Sequence, residues 1–81
     1  MIRPEQIRAG RALLGITQSE LAERAGISTT GLNNIERGNA DPKASTLRAI
    51  EAALSEGGVI FLEDGQTIEG GPGVRLAKPK A

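Results

Sequence analysis

The chain has 81 residues, with ten Lys or Arg balanced by ten Asp or Glu and neither cysteine nor histidine. That length supports one domain with a core that is marginal alone and that oligomerisation would strengthen. The composition excludes disulfides, thiolate metal sites and the commonest general base, and fits a reducing compartment. No apolar run approaches the roughly 18 residues that span a membrane, and Met1 to Gln6 is too polar for a signal peptide. The expected location is therefore the cytoplasm, with no membrane contact, no cofactor and no metal.

Met1 to Arg3 reads as loose chain. Pro4 suits the first turn of a helix, where its missing N–H costs nothing, and this helix is expected over Pro4 to Leu14, stopping at Gly15. Ile7, Leu13 and Leu14, with Ala12 beside them, are expected to face a core. Ile16 then precedes Thr17, which with Glu20 three residues on forms a capping box. Leu21, Ala22 and Ala25 share one face of the second helix. Gly26 marks its stop, because glycine accepts the left-handed conformation that such stops commonly need.

Ser28 caps a third helix, whose inner face carries Leu32 and Ile35. Its outer face carries Thr29, Thr30, Asn33, Asn34 and Arg37, at i, i+1, i+4, i+5 and i+8. No charged residue occurs from Ile27 to Ile35, whereas a solvated helix face usually carries Glu and Lys pairs. A surface of Thr and Asn also gives up helix propensity. Short neutral donors and acceptors suit base edges in a major groove: Asn pairs bidentately with adenine, and the Thr methyl meets that of thymine.

The segment Thr17 to Gly38 resembles the helix-turn-helix of the phage repressor and Cro family, the XRE family. The resemblance rests on Gln18, Leu21, Ala22, Gly26, Leu32 and Ile35, and on the closing Glu36-Arg37-Gly38; it extends from about Ile7 to Leu54. It implies a mainly α, lambda-repressor-like bundle of four to five helices that binds double-stranded DNA. It implies that Arg11 and Glu36 pair, tying the first helix to the recognition helix, rather than standing as two solvated charges. It also implies that Gln18 meets a DNA phosphate and braces the recognition helix, a role that the second helix's dipole would assist.

Asn39-Ala-Asp-Pro-Lys43 is a loop by its turn residues, and the resemblance runs it along the DNA backbone. Gln18, Arg37 and Lys43 are thus the expected phosphate contacts, and Ser28, Thr29, Thr30, Asn33 and Asn34 the expected base readers. Residues 1–55 carry seven Arg or Lys against six acids, so non-specific affinity should be modest, with a shallow salt slope. A fourth helix is expected from Ala44 or Ser45 to Glu56, with Thr46, Leu47, Ile50, Ala53 and Leu54 inward and Gly57-Gly58 as its stop.

From Val59 the composition changes. Val59-Ile-Phe-Leu reads as a strand, Asp64-Gly65 as a turn, and Val74-Arg-Leu as a second strand. A lone two-stranded ribbon is marginal in water. It is expected either to form an intersubunit sheet through Val59, Ile60, Phe61, Leu62, Val74 and Leu76, or to fold back on its own helical core. The chain thus divides into a helix-turn-helix domain over 1–56, a β extension over 57–76 for dimerisation or partner binding, and a flexible tail over 77–81.

Gly70-Gly-Pro-Gly lacks the Lys-Ser or Lys-Thr of a phosphate loop and opens no helix. Glu63 and Asp64 lie adjacent in a turn with no base nearby, so no enzyme is expected. One aromatic residue in the chain offers no stacking platform for single strands. The expectation is a transcriptional regulator, more often a repressor, acting as a homodimer on a pseudo-palindromic operator. The alternative is an antitoxin-like protein-binding module that seizes a partner with its C-terminal strands.

Overall fold

The computed structural model describes residues 1–66 and 68–78. Four helices are followed by one hairpin: α1 (Pro4–Leu14), α2 (Gln18–Ala25), α3 (Thr29–Glu36), α4 (Ala44–Glu56), β1 (Val59–Leu62) and β2 (Gly73–Leu76). The expected range of four to five helices settles at four. Among the described residues no helix is long and apolar enough to cross a membrane.

Local chemistry sets the helix ends. Thr17 Oγ1 accepts from the Glu20 N–H at 3.1 Å while the Glu20 carboxylate accepts from the Thr17 N–H at 3.3 Å, so the capping box is complete. Ser28 Oγ accepts from the Gly31 N–H at 3.0 Å and starts α3. Gly26 stands at φ 73°, and the Ile27 N–H reaches back to the Ala22 carbonyl at 3.0 Å. A β-branched or bulky residue at that φ would be strained.

The core is built from Ile7, Leu21, Leu32, Ile50 and Leu54, each with no exposed surface, together with Ala22, Ile35, Ala53 and Val59. Gly10 lets α1 lie close over this cluster. A Cβ there would stand 3.3 Å from Leu54 Cδ1 and 3.4 Å from Val59 Cγ1. This close approach corrects the expected inner face of α1. The buried line is Gln6, Ile7 and Gly10, with Leu14 packed against the core, whereas Leu13 and Ala12 are exposed. Ile2, expected in loose chain, is 8% exposed and joins the core.

The hairpin is antiparallel, with Val59 opposite Leu76 and Phe61 opposite Val74. It folds back on its own helices: α1 packs on both strands and α4 on β1. Val59 is buried, with Phe61 and Val74 packed against the core. That narrows the surface on which an intersubunit contact could draw, since Val59 is spent inside its own chain. Ala77, expected in the tail, donates its N–H to the Gly58 carbonyl at 2.8 Å; residues 79–81 of that tail lie outside the described residues.

Gln6 fastens the hairpin. Its Nε2 donates to the carbonyls of Leu62 (3.2 Å) and Gly73 (2.9 Å), and its Oε1 accepts from the Arg3 N–H at 2.8 Å. Gln6→Leu keeps the bulk but removes all three bonds, and a polar group left unpaired on burial costs about 1–3 kcal/mol. The loss is expected to be local: amide exchange should accelerate across β1 and β2 while α2 and α3 keep their protection. Uniform acceleration across the chain would show instead that Gln6 supports the whole fold.

Candidate nucleic-acid interface

The turn after α2 sets α3 against the rest of the domain, and α3 divides sharply into two sides. Leu32, Ile35 and Glu36 are buried, while Ser28, Thr29, Thr30, Asn34 and Arg37 are exposed. Asn33 lies between, half-buried at the border with α2. The exposed side carries hydroxyl and amide groups with no acid among residues 27–35.

The buried acid at the end of α3 is the hub of a polar network. Glu36 is 1% exposed, a burial that a carboxylate tolerates only when it is paired and hydrogen-bonded. Arg11 supplies both needs: its Nε donates to Oε2 and its Nη2 to Oε1, each at 3.0 Å. This two-pronged geometry is the strong form of the contact. Arg11 Nη1 also donates to the Ile16 carbonyl at 3.3 Å, joining the α1–α2 connection to the same guanidinium.

Gln18 completes the network. Its Nε2 donates to Glu36 Oε1 and its Oε1 accepts from Asn33 Nδ2, both at 3.2 Å. A single line of bonds thus runs from α1 through the end of α3 and the start of α2 to the middle of α3. Arg8 adds a further tie by donating to the Glu36 backbone carbonyl. Among the described residues no buried side-chain nitrogen or oxygen lacks a partner.

The structure therefore distributes the sequence-expected residues unevenly. Thr29, Thr30 and Asn34 stand together on the open face, with Ser28 at its edge occupied as a cap. Asn33 gives its amide N–H to Gln18 and shares its position between the outer face and the bracing line. Gln18 turns its side chain inward, leaving the first-turn backbone N–H groups of Gln18 and Ser19, which have no intrahelical acceptor, at the outward end of α2. Arg37, just past α3, and Lys43, which precedes α4, are both exposed and flank the open face along the chain.

Two residues of this architecture escaped the sequence reading. Nothing local to Arg8 signals that it reaches the end of α3. Gln6 had a usable signal, since its spacing from Arg3 is that of a capping glutamine, but Arg is not a capping residue type.

A helix-turn-helix family model matches residues 7–56. Among solved structures, the chain is similar to the DNA-binding domain of the P22 c2 repressor (1–76), determined by nuclear magnetic resonance in solution. The two share 33% identity with a TM-score of 0.62, over 68% of this chain and 72% of that one. No curated protein sequence matches the chain.

Proposed function

The chain belongs to the helix-turn-helix family of DNA-binding transcriptional regulators, and on that premise we propose that it is a cytoplasmic repressor acting as a homodimer on a pseudo-palindromic operator. The observation that carries this reading is the open, acid-free face of α3 braced from behind by the Arg11–Glu36–Gln18–Asn33 line. Such a helix offers fixed short donors and acceptors to base edges and brings no acid to the phosphates flanking them.

In this reading Thr29, Thr30 and Asn34 contact bases, with Asn33 and Ser28 at the margin. Arg37, Lys43 and the N-terminal amides of α2 beside Gln18 hold phosphates and set the register. Two copies present their α3 helices to successive major grooves about 34–36 Å apart, a separation comparable to the largest extent of one molecule, 33 Å. The even charge balance supports weak non-specific binding, so that discrimination rests on the α3 face and not on a broad basic field.

Lys43→Ala is expected to weaken binding to operator and to random DNA alike and to lower the salt slope by about one unit. Binding titrations at several salt concentrations measure this directly. An unchanged slope would take Lys43 off the phosphate backbone.

The test of the whole reading is selection from a random double-stranded library followed by sequencing of the bound fraction. An enriched inverted repeat with half-sites one turn apart is the expected result. Absence of any motif, at salt low enough for non-specific binding, would favour the protein-binding module, with the hairpin as its contact.

A further inference from the structure

The hairpin separates its charges by position. Glu63, Asp64 and Glu69 lie at its tip with no base among residues 63–72, whereas Arg75 and Lys78 lie at its root. All five are exposed, and the one ion pair among the described residues, Arg11–Glu36, involves none of them. Among the described residues both ends are therefore without an ion-pair partner.

Among the described residues the outer edge of β2 is also unpaired. The Ala77 N–H bonds to the Gly58 carbonyl, so the alternation of an antiparallel ladder turns the backbone groups of Val74 and Leu76 away from β1. Leu76 is 48% exposed beside them. An open edge of this kind is a template for another strand.

We infer that the edge of β2 docks the β2 of a second copy, antiparallel, with the acidic tip of each hairpin against the basic root of the other. This rests on the homodimer reading and says which surface makes the dimer. A strand that pairs with itself across a two-fold axis must run antiparallel, and antiparallel pairing is the arrangement that sets tip against root. The charges also choose the register. Val74 opposite Leu76 would place the two Arg75 side chains face to face, which is unfavourable. Val74 opposite Val74 sets Arg75 across from Gly73, and Ala77 and Lys78 across from Gly71 and Gly70. In each chain Asp64 lies beside Gly71, its Oδ1 3.5 Å from where a Cβ would stand, and Glu69 precedes Gly70. In this register the N–H of Leu76 meets the carbonyl of Pro72 in the second copy, and Pro72 needs no acceptor in return.

A charge swap tests this. One variant carries Arg75→Glu and Lys78→Glu; the other carries Glu63→Lys, Asp64→Lys and Glu69→Lys. Each alone sets like charges together at both ends of the interface, so its self-association should weaken by about tenfold or more. Mixed together, the two restore opposite charges at both ends and should form a heterodimer, read by sedimentation and by native mass spectrometry. Lys78→Glu alone, outside the strands, should give a smaller loss of the same sign. Variants that dimerise as well as the unaltered chain, or a mixture of folded variants that stays monomeric, would overturn this surface while leaving the homodimer reading intact. An unaltered chain that is monomeric both in solution and on a palindromic site would remove the homodimer and this interface together.

Discussion

Glu36→Ala is expected to destabilise the domain by about 3 kcal/mol, the lower end of the 3–5 kcal/mol typical when one partner of a buried ion pair is removed. The substitution takes three side-chain donors off their acceptor, two from Arg11 and one from Gln18. The lower end applies because the Arg11 side chain is 25% exposed, so water can reach part of the orphaned guanidinium. In a domain of this size 1 kcal/mol moves the melting temperature by about 4–8 °C, so the variant should melt more than about 12 °C lower. A loss below about 1 kcal/mol would be that of a solvated surface pair and would contradict the burial of Glu36.

The double variant Arg11→Met with Glu36→Leu separates stability from orientation. No charge is left buried in it, and such replacements are often neutral or stabilising. Stability should therefore recover over Glu36→Ala. The Gln18 amide would still lose its anchor, and with it Asn33 would lose the line that holds it. Operator affinity should stay low if the network's part is to hold α3 at a set angle. Full recovery of both stability and affinity would reduce the pair to a packing element.

How much of this was legible in the sequence follows from the range of each interaction. The ends of α2 and α3 could be read because Thr17, Glu20, Gly26 and Ser28 act within a few residues of themselves, and the outer face of α3 could be read because an exposed helix without charges is conspicuous. The resemblance to repressors supplied the Arg11–Glu36 pairing, which no local rule contains. What could not be read was long-range. Gln6 bonds to carbonyls 56 and 67 residues away, and Ile2 is buried among groups assembled from both ends of the chain. Leu13 misled for another reason. Hydrophobic patterning counts large side chains, whereas α1 also meets Leu54 and Val59 through Gly10, which has none. Gln18 shows a third limit: its place at the start of α2 suggested both a phosphate contact and a brace for α3, but the brace's own partners, Glu36 on one side and Asn33 on the other, come only from the fold.

That engagement gives neighbouring asparagines different expected behaviour. Asn34 is exposed and stands on the open face, free to present both ends of its amide to a base. Asn34→Ala should cost roughly 1–3 kcal/mol per half-site against the selected operator and little against random DNA. A homodimer carries the substitution twice, so the loss on an inverted repeat should be about twice the loss on a single half-site, since well-separated positions add. Asn33→Ala removes instead the donor to Gln18. It should lower operator affinity through the set of α3, with no relaxation confined to one base position. Selection repeated with each variant reads the difference: the Asn34 variant should lose preference at one base pair in each half-site, and the Asn33 variant should keep the same motif at lower affinity. A motif unchanged by Asn34→Ala, with equal losses on operator and random DNA, would take Asn34 out of base reading and leave Thr29 and Thr30 to carry it.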